Sequence, residues 1–248
     1  MVALVVLPTY DEAENIETVL TLVREHVPEA DVLVVDDGSP DGTADLAEKW
    51  GAEHGGVSVL RRPGKAGLGS AYRAGFRQGL EQGYDVLVEM DSDLQHDPAA
   101  LPHLIHAVEQ GAWLAIGSRY VPGGQVPNWK RSRRLISQGG NLYAAAVLGL
   151  PVKDATAGFR AYAAEALRAI NLDIVRADGY GFQVEMAYLV HRRGGAIAEV
   201  PITFRDRQLG TSKMSYAIVV EALLLVTWWG VRDRIFRPLM RALGRPTP

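Results

Sequence analysis

Three clusters of side chains combine residue types and spacings that can do chemistry. The sharpest is Val86-Leu87-Val88-Glu89-Met90-Asp91-Ser92-Asp93-Leu94-Gln95, an apolar run that ends in two carboxylates two residues apart, with a side-chain amide two further on. Mg²⁺ and Mn²⁺ take hard oxygen ligands and leave positions open for substrate phosphates. The pattern therefore suits a metal–diphosphate site, although a solvated turn capping a helix near Pro98 accounts for the same residues. In Val34-Val35-Asp36-Asp37-Gly38-Ser39-Pro40-Asp41-Gly42-Thr43, two acids close a second apolar run. Carboxylates accept hydrogen bonds from base N–H groups and ribose hydroxyls; Asp41 and Thr43 also read as turn and capping residues. In Pro8-Thr9-Tyr10-Asp11-Glu12, Tyr10 can lie against a base and Glu12 can bond a sugar hydroxyl, while a helix start rich in acids is the plainer alternative.

A cationic set complements these acids. Arg119, Lys130, Arg131, Arg133 and Arg134 fall within residues 111–153, which contain no Asp or Glu. Guanidinium forks match phosphate oxygens. Arg133 and Ser137 are four residues apart and share a helical face, and Arg119 stands at an expected strand end; a solvated or membrane-facing helix start is the competing reading for Lys130–Arg134. Pro63-Gly64-Lys65-Ala66-Gly67-Leu68-Gly69 is glycine-rich, but its lysine is misplaced for a P-loop and Tyr72 stands where a dinucleotide fingerprint needs its last glycine. It reads as a permissive loop at a site rim. His96, His103 and His106 raise the idea of zinc, but polar side chains facing solvent are the better reading of all three.

The elements that must position these residues follow from periodicity. Short apolar runs at Ala3–Leu7, Val32–Val35, Val57–Leu60, Val86–Met90 and Trp113–Gly117 alternate with helical spacings such as Ile16, Val19, Leu20 and Val23. Such alternation implies a parallel sheet covered on both faces, with ligands at the carboxyl ends of its strands. The polar clusters fall at those ends. Beyond a Gly/Pro-rich loop at 122–127, helices are expected over Arg133–Leu148, Phe182–Arg192 and from Tyr216 to Val231. Ala196–Val200 and Ile202–Phe204 read as one strand broken by Pro201.

Composition narrows the class. The 248 residues carry a net charge of -3, which argues against a nucleic-acid binder. The balance is uneven: net -13 over residues 1–110 and +4 over 222–248. No cysteine is present, which excludes disulfides, Cys-ligated zinc, iron–sulfur clusters and thiol catalysis. Met1–Leu7 lacks the basic start of a signal peptide and reads as a strand. No ordinary transmembrane helix is evident.

Taken in order from residue 8 to 213, the motifs resemble the inverting family 2 glycosyltransferases. Pro8–Glu12, Val35–Thr43, Lys65–Gly69 and Asp91–His96 carry the family likeness. Gly117-Ser118-Arg119-Tyr120, Leu135-Ile136-Ser137, Asp154–Arg160 and Phe204–Lys213 narrow it to the dolichol/polyprenol-phosphate mannosyltransferases. The resemblance implies an α/β fold of GT-A (Rossmann-like) type, with a mostly parallel central sheet covered by helices, C-terminal interfacial helices and no transmembrane helix. It implies a catalytic domain over 1–213, split into a nucleotide-sugar half (1–118) and an acceptor half (119–213), and a helical segment over 214–248.

The implied reaction moves mannose from GDP-mannose to a polyprenyl or dolichyl phosphate with inversion. Pro8, Tyr10, Glu12, Val35 and Asp37 would bind the nucleotide. Asp91, Ser92 and Asp93 would hold the donor, and Asp91, Asp93 and Gln95 the Mg²⁺ or Mn²⁺. Arg207 and Lys213 would bind donor phosphates, and Arg119, Arg133 and Ser137 the acceptor phosphate. Asp91, Asp93 and Arg119 would carry catalysis. The enzyme would be cytoplasmic and peripheral on the cytoplasmic face of a membrane. It would reach its lipid through Leu135–Leu150 and the Ala222–Gly230 segment with the basic residues after it, or through a membrane-protein partner. A UDP-glucose-dependent enzyme on the same fold and a catalytically silent nucleotide-sugar scaffold are the rival readings.

Overall fold

Alternate residues of the first strand serve opposite sides of one sheet. In β1 (Ala3–Thr9), Ala3, Val5 and Leu7 join one buried cluster while Leu4 and Val6 join the other, as the two-residue period of a strand covered on both faces requires. The computed structural model describes residues 1–205 and 216–236, except the side chains of 216–221 and 235–236. Arg207 and Lys213 lie outside the described residues.

Chain order gives α1 (Ile16–His26), β2 (Asp31–Asp36), α2 (Thr43–His54), β3 (Val57–Arg61), α3 (Leu68–Glu81), β4 (Val86–Glu89), α4 (Leu101–Glu109) and β5 (Leu114–Ser118). There follow α5 (Arg131–Leu148), β6 (Arg160–Ala163), α6 (Ala164–Ile170), α7 (Gly179–Arg192), β7 (Ile197–Pro201) and α8 (Tyr216–Val231). The seven described strands form one sheet in the order β3-β2-β1-β4-β6-β5-β7. Helices α1, α2 and α4 supply buried residues to one face, and α3, α5, α6, α7 and α8 to the other. The chain leaves β1 for β2 on one side and returns to β4 on the other. That reversal opens the crevice in which such sheets bind ligands.

Close approach of α3 to the sheet depends on glycine. A Cβ at Gly75 would lie 2.4 Å from Val6 Cγ1, and one at Gly79 would lie 2.6 Å from Leu87 Cδ2. The pairing brings the two halves of the chain together. Strand β6 is antiparallel to both β4 and β5, with Arg160 opposite Glu89 and Ile116. The start of β6 therefore meets the carboxyl ends of β4 and β5, and the loop Asp154–Phe159 arrives at the same rim as Asp91 and Arg119.

Sequence periodicity misses β6 and α6, which are short and lack an alternating or 3.6-residue signal. Pro201 ends β7 rather than breaking it, and Thr203 and Phe204 pair singly with Gln125 and His96. His103 and His106 are exposed, but His96 is not the surface residue expected of it. It is buried between Phe159 and Phe204, with ring centroids 5.1 and 5.3 Å away. The long helices match their periodicity, and α8 spans Tyr216–Val231 as read. Val226 and Trp229 pack inward, Trp229 stacking on Tyr188. Leu223, Leu224 and Trp228 face outward.

Candidate active site

The donor side is built from the ends of β1, β2 and β4. The two acids that close β2 differ sharply in role. Asp36 is spent on local structure: it accepts bonds from the hydroxyls of Thr9 and Ser39 and from the backbone N–H groups of Gly38 and Ser39. Asp37 faces the rim, where Arg62 donates to it at 2.6 Å and the Ala66 N–H at 3.4 Å. Arg62 also donates to Ser70, so the glycine-rich loop is tied to the proposed nucleotide acid. Asp41 accepts from the backbone and hydroxyl of Thr43, which makes it the turn residue expected.

Tyr10 lies under the Lys65 ammonium, 4.4 Å from its ring centroid. Glu12 accepts from Asn15, and Ser92 donates to the Pro8 carbonyl. The Val35 side chain is wholly buried, with Gly75 of α3 close against it. Only its backbone can therefore meet a ligand.

Asp91 and Asp93 sit just past β4, on a turn with one residue in the left-handed region. Leu94 takes a φ of 60°, an unfavourable left-handed conformation for a branched side chain. Asp93 accepts from the Gln95 N–H at 3.1 Å, and Asp91 accepts from the Tyr72 hydroxyl at 2.9 Å. Tyr72 is fully buried in α3 and stacks between Phe76 and Phe182, which fixes that hydrogen bond. Among the described residues no three His, Cys or acidic side chains form a metal cluster by themselves. Two carboxylates and an amide oxygen nevertheless fit a hard cation that shares its remaining positions with diphosphate oxygens. The segment before residue 206 runs beside this loop: the Gln95 side chain donates to the Arg205 carbonyl, and the Arg205 N–H donates to the Gln95 carbonyl.

The acceptor side begins at the end of β5. Arg119 is buried and bidentate to Asp154, with Nε and Nη2 donating at 2.7 and 2.6 Å and the Arg119 backbone N–H at 3.0 Å. Burial by itself would raise the Asp154 pKa, but the charge and hydrogen bonds of Arg119 hold it below the usual carboxylate range. Glu199 of β7 in turn accepts from the backbone N–H groups of Lys153 and Asp154. Arg119 thus stands at the strand end as expected, but one edge of its fork is already committed to an acid 35 residues on. Ser137 accepts from the Tyr120 hydroxyl at 2.7 Å. Arg131 and Arg134 are exposed, whereas Arg133 turns inward against Trp129. Helix α5 therefore starts with three arginines, no acid and no side-chain cap, at the end of a helix that favours anions.

Between the two sides lies an interior network that sequence reasoning missed. Arg160 is wholly buried and donates to the carbonyls of Ala155, Ala157 and Gln183. It braces the Asp154–Phe159 loop from within. The Glu89 carboxyl lies 3.6 Å away, and burial pushes its pKa up to about 8 despite the guanidinium. Burial raises the pKa of Tyr180, in the first turn of α7, against the charges of Arg119 and Arg133, which lower it. Tyr72, Trp129, Asp154 and Arg160 carry no mark of these roles in the sequence beyond lying in or beside the motifs that hold the site.

A Rossmann-like sheet with carboxylates at the crevice and guanidiniums at the same rim is the architecture of the nucleotide-sugar glycosyltransferases of the GT-A kind. The family model for glycosyl transferase family 2 matches residues 4–170. An undecaprenyl-phosphate mannosyltransferase from Micrococcus luteus is 56% identical over 234 residues, covering 94% of this chain and 96% of its own. A polyprenol monophosphomannose synthase from Mycolicibacterium smegmatis is 48% identical, over 94% of this chain and 89% of its own. The chain belongs to the family 2 glycosyltransferases, and within them to the polyprenyl-phosphate mannosyltransferases.

Solved structures agree on the fold. Glucosyl-3-phosphoglycerate synthase from Mycobacterium tuberculosis with UDP superposes with a TM-score of 0.68 at 22% identity, over 92% of this chain and 80% of that one. A mannosyltransferase from Pyrobaculum calidifontis, solved with GDP-Man and Mn²⁺, has a TM-score of 0.64 at 19% identity, over 93% and 64% of the two chains.

Proposed function

We propose that the protein transfers mannose from GDP-mannose to the phosphate of a polyprenyl phosphate, giving a β-linked mannosyl phosphate and GDP. The 56% identity to an undecaprenyl-phosphate mannosyltransferase over nearly the whole of both chains carries this reading. The meeting of acids and arginines at one rim supports it. A phosphate monoester has a second pKa of about 6 and is largely dianionic at neutral pH, so it attacks without a strong general base. Its oxygen bonds to the anomeric carbon as the bond from that carbon to the GDP oxygen breaks on the opposite face, and GDP leaves with the electron pair. The task left to the protein is to bring two anions together.

In this reading Asp37 and Glu12 accept from the nucleoside, with Tyr10 alongside the base and Pro8 and Val35 contributing backbone. Asp91, Asp93 and Gln95 would hold Mg²⁺ or Mn²⁺, which would supply Lewis-acid neutralisation of the leaving diphosphate. Arg207 and Lys213 add positive charge there. Arg119, Arg133 and Ser137 hold the acceptor phosphate. The test is transfer of radiolabel from GDP-mannose or UDP-glucose into extractable polyprenyl lipid in the presence of Mg²⁺ or Mn²⁺. Label from GDP-mannose alone is expected; label only from UDP-glucose refutes the donor, and label from neither leaves a binding protein. Asp93→Ala should nearly abolish turnover, and Arg133→Ala should chiefly raise KM for the lipid.

The lipid must be drawn from a membrane surface, although no described helix is long and apolar enough to cross one. Leu135, Ile136 and Leu142 of α5 and Leu224 and Trp228 of α8 are all more than half exposed. The two helices pack together, with Gly230 against Val147 and the Tyr143 hydroxyl 2.7 Å from that of Thr227. Exposed apolar side chains on two packed helices, beside a basic helix start, suit an anionic bilayer, and Arg133 and Ser137 belong to the same helix as Leu135, Ile136 and Leu142. Co-sedimentation with anionic vesicles should weaken when Leu135, Ile136 and Trp228 are replaced by Ser. Unchanged binding would reject this face.

A further inference from the structure

Asn141 is the first buried residue of α5. The front of that helix, which carries Ser137, buries no apolar side chain, and Leu135 and Ile136 are exposed. Gly139 and Gly140 come next, with open space where their Cβ atoms would be. Glycine in a helix interior weakens the helix relative to alanine. Apolar burial therefore does not set where the front of α5 lies.

Polar bonds set it instead. Asn141 is 2% exposed. Its Oδ1 accepts from the Thr156 backbone N–H at 3.1 Å, which fixes the orientation of the amide because that group can only donate. Its Nδ2 donates to the Ser137 carbonyl at 3.0 Å, one turn back across the two glycines, and to the Thr156 hydroxyl oxygen at 3.2 Å. Arg119 Nη2 donates to that same oxygen at 2.9 Å, and the Thr156 hydroxyl donates to Asp154. Tyr120, next to Arg119 in the chain, donates through its hydroxyl to Ser137 Oγ at 2.7 Å. Arg119, Thr156, Asn141, Ser137 and Tyr120 thus close a ring that joins the end of β5, the loop before β6 and α5. Ser137 Oγ accepts within the ring, so its own hydrogen can be offered to an anion. A purely structural anchor at this position could be apolar, as Ala144 and Leu148 are on the same helical face. A buried amide is costly unless its bonds are made, and here every one goes to a residue beside the phosphate seat.

We infer that Asn141 is a positioning residue for acceptor binding: through Thr156, its amide holds the Ser137 hydroxyl in a fixed place relative to the Arg119 guanidinium. The inference rests on the acceptor assignment proposed above.

The experiment measures calorimetric affinity for a short-chain polyprenyl phosphate, and KM for that lipid and for GDP-mannose. The variants are Asn141→Leu, Thr156→Val, Ser137→Ala, and each of the first two combined with Ser137→Ala. Asn141→Leu should weaken prenyl-phosphate affinity and raise its KM by roughly tenfold, with the GDP-mannose KM near wild type. Thr156→Val removes only the shared hydroxyl and should show the same selectivity at about threefold. In the Ser137→Ala background, Asn141→Leu should cost less than about threefold, because the group it positions is gone. Wild-type affinity in Asn141→Leu or Thr156→Val overturns the inference. So does an equal loss toward both substrates, or an undiminished cost in the Ser137→Ala background, which would mean that the amide does not act through Ser137. Should Asn141→Leu not fold, Thr156→Val and its combination with Ser137→Ala decide by the same criteria. Normal prenyl-phosphate binding by Ser137→Ala refutes the acceptor assignment, and the inference falls with it. Weakened binding by Ser137→Ala beside normal binding by Asn141→Leu refutes the inference alone.

Discussion

Arg119 and Asp154 form a buried pair whose energetic and functional roles can be separated. Their side chains are 7% and 0% exposed, and three hydrogen bonds join Arg119 to the carboxylate. In Asp154→Asn the carbonyl oxygen can still accept the two bonds made to Oδ2. The amide nitrogen then replaces Oδ1 and faces the donor Nη2 of Arg119. One charge-assisted bond becomes a donor–donor contact, and a buried guanidinium loses its counter-charge. Breaking a buried pair in this way costs about 3–5 kcal/mol. Removing both charges is different: Arg119→Met with Asp154→Leu abolishes the repulsion and the desolvation together, and such replacements are often neutral.

Urea unfolding should therefore give a destabilisation of about 3–5 kcal/mol for Asp154→Asn and much less for the double variant. Transfer activity should follow the other order. Asp154→Asn keeps the arginine and should retain measurable turnover with a raised lipid KM, whereas the double variant should be inactive though folded. If Asp154→Asn changes stability by less than about 1 kcal/mol, the pair is solvated in solution and the reasoning fails. If the stable double variant transfers mannose normally, Arg119 does not meet the acceptor.

Two further outcomes follow from buried groups. Burial lowers the His96 pKa to about 4 from its ordinary 6.5; the folded value is the depressed one, so the stability it confers is complete above about pH 6.5 and is lost on acidification toward about pH 4. Between about pH 7.5 and about pH 5 the wild type should lose about 2 kcal/mol more than His96→Phe, and parallel pH profiles for the two would refute the neutral buried imidazole. Tyr72→Phe deletes the hydroxyl that orients Asp91 at 2.9 Å; Mn²⁺ affinity, followed by the free-ion spin-resonance signal in the presence of GDP, should weaken several-fold with little change in the thermal midpoint, and unchanged affinity would make the hydrogen bond incidental.

What the sequence reveals about this protein follows from how local each signal is. The strands that lead to Tyr10, Asp37 and Asp91 announce themselves because the apolar runs Ala3–Leu7, Val32–Val35 and Val86–Val88 precede a polar turn, and a parallel sheet places all such turns at one end. Distinguishing Asp36 from Asp37 is beyond that logic. Both end the same strand, and only the fold shows that Asp36 is consumed by Thr9, Gly38 and Ser39 while Asp37 reaches the rim. His96 reads as polar because its partners Phe159 and Phe204 are more than sixty residues distant.

The acceptor half is harder for the same reason. Its arginines are visible as an acid-free stretch, but the residues that make them usable come from elsewhere: Asp154 fixes Arg119 from a loop braced by Arg160, and Glu199 of a third element holds that loop. Charge counts over residues 154–221 balance, so the acid that locks the arginine is hidden in a segment that looks neutral. The two halves differ in what builds them. The donor side is assembled from consecutive strand ends, each readable alone. The acceptor side needs an antiparallel strand, β6, inserted between β4 and β5, and four residues with no periodic signal bring the loop that carries Asp154 and Thr156 to Arg119.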